Sequence, residues 1–143
     1  MRDDLIFENT VLLAFIGDAA YELKIREHVI RSGIKHGDRL HFAAVKYVCA
    51  AAQANVMKAV FDGLDEDEQR LVKRARNRKT SSKPKNADPV EYKWATAFEA
   101  LMGYYSISGQ EAKLDAMAAR AVSIIDGLNS GASQNGMGAG GSQ

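Results

Sequence analysis

Residues 12–22 read Leu12-Leu13-Ala14-Phe15-Ile16-Gly17-Asp18-Ala19-Ala20-Tyr21-Glu22, an apolar run at helical spacing interrupted by one acid. Leu12, Leu13, Phe15, Ile16, Ala19, Leu23 and Ile30 keep that spacing from residue 9 to about residue 31. The pattern predicts a largely buried helix, with Asn9 or Thr10 as its cap and Gly33 near its end. Asp18 is the only charged residue between Glu8 and Glu22, and Glu99 is likewise alone between Lys93 and Glu111. An ionised carboxylate on an apolar helix face carries a desolvation penalty of several kcal/mol unless a cation compensates it. Each acid therefore needs a partner: a helix N-terminus, a buried Lys or Arg, or a metal. Gly17 beside Asp18, and Gly103 one turn after Glu99, remove bulk where a second helix, a metal or a phosphate can approach.

Outward from this stretch the chain reads as helical throughout. Leu40, Ala44, Tyr47, Val48, Ala51 and Val56 extend a second pattern over about residues 38–60, ended by Gly63. Asp65-Glu66-Asp67-Glu68 opens a third helix, with acids in its first turn and capping-box spacing between Asp65 and Glu68. Asp88-Pro89-Val90-Glu91 starts a fourth with cap, N1 proline and reaching glutamate, and Gly109 closes it. A fifth runs over about residues 111–126 on Leu114, Met117, Ala121 and Ile125. Residues 127–143 are uncharged and rich in Gly, Ser, Asn and Gln, and read as a disordered tail without a catalytic role. No stretch alternates with period two, so the fold expected is all-α, one domain over residues 1–126.

A chain of 143 residues leaves no room for a separate substrate-binding module, and 46% hydrophobic with 26% charged residues is a globular composition. The single cysteine, Cys49, excludes an internal disulfide or a zinc site and points to a reducing, cytoplasmic compartment. It reads as a small core residue on a helix, and Met57, Met102 and Met117 as core. His28, His36 and His41 lack metal-ligand spacing and are assigned to packing or surface. Neither a secretory leader nor a membrane span is expected.

The net charge of +1 hides segregation: residues 62–68 are mostly acidic, while residues 73–85 carry seven basic residues and no acid. A basic helix end running into a Ser/Pro loop suits phosphate backbones, although a solvated basic face is the plainer alternative. No aromatic residue interrupts this run, which favours backbone contact with a duplex over base stacking. For Asp18 and Glu99 the functional reading is convergence on Mg²⁺, which takes one or two carboxylates and keeps several waters. Glu22, one turn after Asp18, is a further candidate ligand, against a plain ion pair with Lys24 or Arg26.

Residues 13–22, Leu13-Ala14-Phe15-Ile16-Gly17-Asp18-Ala19-Ala20-Tyr21-Glu22, resemble the signature helix of the ribonuclease III catalytic domain, specifically of the compact Mini-ribonuclease III family. Phe98-Glu99-Ala100-Leu101-Met102-Gly103-Tyr104 resembles that family's second acidic helix. Leu40-His41, Ala50-Ala51-Ala52-Gln53-Ala54, Lys73-Arg74-Ala75-Arg76-Asn77 and Pro84-Lys85-Asn86-Ala87-Asp88 match between them in order and spacing. The resemblance implies a homodimeric, Mg²⁺-dependent endoribonuclease that cuts double-stranded RNA, precursor 23S ribosomal RNA in bacteria, without a separate double-stranded-RNA-binding domain. It makes Asp18 and Glu99 the catalytic, metal-binding acids. It makes Lys73, Arg74, Arg76, Asn77, Arg78, Lys79, Lys83 and Lys85 the RNA-gripping residues. Ala14 and Thr96 stand where full-length ribonuclease III enzymes carry Glu and Asp, and Ala75 where the compact family usually has Gly. A catalytically silent RNA-binding protein on the same scaffold, or a helical protein-interaction module, are the alternatives.

Overall fold

The computed structural model describes residues 3–79 and 84–141. Seven α-helices follow one another among the described residues: α1 (Asp3–Glu8), α2 (Thr10–Arg31), α3 (Gly37–Val48), α4 (Ala50–Val60), α5 (Glu66–Asn77), α6 (Pro89–Ile107) and α7 (Glu111–Gly141), with a 3-10 turn at Phe61–Gly63. No strand occurs among the described residues, and the all-α expectation holds. The start signals work as expected. Asn9 Oδ1 accepts from Val11 N at 3.0 Å, Asp65 and Glu68 close a reciprocal capping box, and Asp88 accepts from Val90 N and Glu91 N ahead of Pro89.

The principal contact of the bundle is α2 against α6. Leu13, Tyr21 and Ile25 of α2 meet Phe98, Leu101 and Met102 of α6 in one core cluster, and α4 and α5 add Val56, Met57 and Val72. The Tyr21 and Phe98 rings stand edge to face, 4.9 Å between centroids. At the crossing the two backbones nearly touch. A β-carbon on Gly17 would lie 1.7 Å from the Glu99 carbonyl oxygen, and one on Gly103 would lie 1.8 Å from the Leu13 carbonyl oxygen. Of the three candidate approaches at these glycines, the structure shows the second helix.

Three expectations are corrected. The inner face of α2 is Leu13, Gly17, Tyr21, Ile25 and Val29, whereas Phe15, Leu23 and Ile30 point outward at 80%, 56% and 62% exposure. Spacing alone cannot choose between two apolar stripes on one helix, and the glycine contact chooses this one. The pattern over residues 38–60 is two helices, because Cys49 takes an extended conformation (φ −66°, ψ 155°) and Gln53 Nε2 donates across the break to the Val48 carbonyl. Cys49 is accordingly exposed rather than in the core. The backbone of α7 runs on as helix to Gly141, with no proline to interrupt it.

Gly17→Ala is expected to destabilise the protein by about 3 kcal/mol, since the backbones must separate, while Gly63→Ala, with open space around it, stays within about 0.5 kcal/mol. Urea denaturation checks both; near-equal values would show that the crossing relaxes freely.

Candidate active site

The crossing of α2 and α6 brings the two isolated acids together. Asp18 follows Gly17, and Glu99 supplies the carbonyl that Gly17 faces, so both carboxyl groups emerge on one side of the same contact. They line a cleft of about 360 Å³ with Ala14, Phe15, Tyr92 and Thr96, and one wall is closed by Ala75 at the end of α5 and by Arg78 and Lys79 just after it. Asp18 is exposed at the lip and Glu99 is half-buried behind it. Burial, then the Asp18 charge and a hydrogen bond with Asp18, push the Glu99 carboxyl up from 4.5 to about 8.

Two carboxylates that resist being charged together form a donor set suited to a hard divalent cation. Among the described residues no group of three or more His, Cys, Asp or Glu side chains offers a metal site. A cation held here would therefore rely on water and on substrate oxygens for its remaining positions, which is the habit of Mg²⁺. Thr96 adds no carboxylate, and its hydroxyl donates to the Tyr92 carbonyl at 2.9 Å.

Glu22 does not join this pair. Its carboxylate accepts from Arg26 Nη2 at 3.1 Å and borders an apolar groove between α2 and α3, the arrangement of the ion-pair alternative.

The fold divides the basic run. Arg78 and Lys79 enter the cleft. Arg74 donates to the Phe7 carbonyl at 2.8 Å, tying α1 to α5, and with Asn77 and Arg78 lines an adjoining polar hollow that shares Thr10 with the cleft. Lys73 and Arg76 turn the other way, onto Phe61 and Trp94. Lys85 is exposed, and Lys83 lies outside the described residues. Sequence reading missed Tyr92 as a cleft residue, although its spacing from Thr96 and Glu99 puts all three on one face of α6.

Without a cation, the raised Glu99 carboxyl has a definite consequence for stability. The folded state holds its proton more tightly than the unfolded chain, so this contribution is complete below about pH 4.5 and is lost as pH rises through about 8. Thermal unfolding in EDTA is expected to show falling stability across that window, with a flatter profile in Glu99→Gln. Equal slopes for the two proteins would remove Glu99 as the source.

Comparisons with known proteins identify the family. Residues 12–110 match the model of the ribonuclease III domain. The Mini-ribonuclease 3 of Brevibacillus brevis is 45% identical over 119 residues, covering 83% of this chain and 89% of the relative. That of Streptococcus pneumoniae is 37% identical over 126 residues, covering 87% of this chain and 98% of the relative. A Fusobacterium nucleatum protein of known crystal structure superposes with a TM-score of 0.72 at 31% identity, covering 80% of this chain and 92% of that one. The glycine-crossed helices and their two acids thus sit within the matched region, and the chain belongs to the ribonuclease III family, in its compact Mini-ribonuclease 3 branch, as an endoribonuclease of that type.

Proposed function

We propose that the cleft hydrolyses phosphodiester bonds of double-stranded RNA, with Asp18 and Glu99 holding Mg²⁺ and Arg78 and Lys79 receiving the phosphate backbone. The observation that supports this most is the meeting of two mutually repelling carboxylates and two cations in one open cleft. When bound, Mg²⁺ supplies Lewis acidity that activates the attacking water and stabilises charge on the leaving oxygen. Asp18, at the lip, offers its carboxylate outward, and Glu99, behind it, fixes the inner side. Arg78 and Lys79 border the acids from the segment that follows α5 and orient the strand by its phosphates, which carry no sequence information. Arg74 steadies the α1 edge of the adjoining hollow, where Asn77 and Thr10 offer neutral hydrogen-bonding groups.

The substrate proposed by resemblance is precursor 23S ribosomal RNA, the compartment the cytoplasm, and the catalytic domain residues 1–126. No helix among the described residues is long and apolar enough to cross a membrane. The working form proposed is a homodimer. Its support is the outward apolar stripe of α2, Phe15, Leu23 and Ile30, continued by Phe42 at 82% and Val45 at 41% exposure on α3. Isolated exposed apolar residues are ordinary, whereas a row along two neighbouring helices marks an interface. Phe15 belongs both to that row and to the cleft, so a second copy seated there would wall the catalytic groove.

Asp18→Asn and Glu99→Gln are each expected to lower the cleavage rate of duplex RNA by at least about a hundredfold while leaving binding in EDTA intact. Wild-type protein that binds the duplex but does not cut it with Mg²⁺ would make the chain a silent RNA binder instead. In sedimentation velocity the wild type is expected as a dimer and Leu23→Glu as a monomer. A wild-type monomer at micromolar concentration would reject the interface.

A further inference from the structure

The half of the basic run that turns away from the cleft meets partners from two other elements. Lys73 and Arg76, three residues apart on α5, project over Phe61 and Trp94, and Lys58 near the end of α4 reaches the same indole. Arg76 Cζ lies 4.9 Å and Lys58 Nζ 6.0 Å from the Trp94 centroid, and Lys73 Nζ lies 5.8 Å from that of Phe61. The two rings meet near-perpendicular with centroids 6.2 Å apart. Among the described residues none of the three cations has a carboxylate within ion-pair distance, although seven such pairs occur elsewhere in the molecule.

Three like charges gathered without a counter-ion repel one another, and the ring quadrupoles offset only about 0.5–1 kcal/mol per exposed contact. What the rings add is order: long side chains that would otherwise roam are held in one place, which lowers the entropy lost when an anion binds. Because cations cover the rings, the surface is suited to phosphate rather than to stacked bases. It also lies apart from the cleft. Tyr92, Thr96 and Glu99 line the cleft from one face of α6, and Trp94 sits roughly half a turn around that helix. Ala75 of α5, and Arg78 and Lys79 just beyond its end, face the cleft while Lys73 and Arg76 do not.

We infer that Lys58, Lys73 and Arg76, ordered on Phe61 and Trp94, form a second phosphate-binding surface that holds the backbone of an RNA arm outside the duplex being cut. This rests on the RNA-cutting reading of the cleft insofar as the polyanion is taken to be the same RNA molecule. RNA is favoured over an acidic polypeptide because α5 feeds cations to both faces, so a strand leaving the cleft finds the second surface across one helix.

The test is binding by fluorescence anisotropy in EDTA, using a short blunt duplex and the same duplex extended by flanking arms. Lys58→Gln is expected to weaken binding of the armed RNA about three- to tenfold near about 150 mM salt and to reduce its salt slope by about one. Binding and Mg²⁺-dependent cleavage of the short duplex stay at the wild-type level, Lys58→Arg restores the armed-RNA affinity, and melting temperature shows that each variant is folded. Equal losses on both RNAs, or no loss on either, would overturn the inference. So would displacement by polyglutamate of a protein that does not distinguish the two RNAs. Binding is read without cleavage, so a wild type that prefers the armed RNA yet cuts neither refutes the function proposed for the cleft and leaves this surface standing.

Discussion

The backbone contact between α2 and α6 is the constraint on which the rest of the molecule depends. With no β-carbon at Gly17 or Gly103, each helix rests against a carbonyl of the other, and no ordinary side chain fits at either point. Asp18 and Glu99 flank this contact, so the separation of their backbones is set by the crossing. Close packing leaves little room for that distance to drift. Burial first, and then the Asp18 charge, raise the Glu99 carboxyl at this contact, and a divalent cation would relieve the like-charge part.

Much of this was legible in the sequence, for physical reasons that can be named. Capping is local, so Asn9, Asp65 with Glu68, and Asp88 with Pro89 announce their helix starts within a few residues. The two acids were legible because each stands alone in an apolar stretch. What escaped was decided by tertiary contact. α2 carries two apolar stripes, and only the partner helix determines that Leu13, Tyr21 and Ile25 turn inward while Phe15, Leu23 and Ile30 face out. The break at Cys49 lies in an alanine-rich run with no proline or glycine to mark it, and its support, the Gln53 bond to the Val48 carbonyl, exists only once the chain has turned.

The basic segment shows the same limit from another side. As a string it suggests one gripping surface, but successive residues of a helix point in different directions. Arg78 and Lys79 reach the cleft, Arg74 is engaged by the α1 backbone, and Lys73 with Arg76 lies over rings supplied by other elements. The absence of aromatics within the run was a true statement about sequence and a poor guide to the surface, because Phe61 and Trp94 arrive through folding. Glu22, one turn on from Asp18, is paired with Arg26 a further turn along.

The glycine crossing also bears on when activity can exist. The capped helix starts draw on neighbours a few residues away, whereas Gly17 and Gly103 are separated by most of the chain, and closing so long a loop is entropically unfavourable until the native contacts compensate it. Asp18 and Glu99 are apart in every species in which that loop is open. A nascent or partly unfolded chain can carry its helices and still lack the meeting of the two acids, so the cutting centre proposed for them would exist only with the completed tertiary fold and be lost as soon as that fold opens.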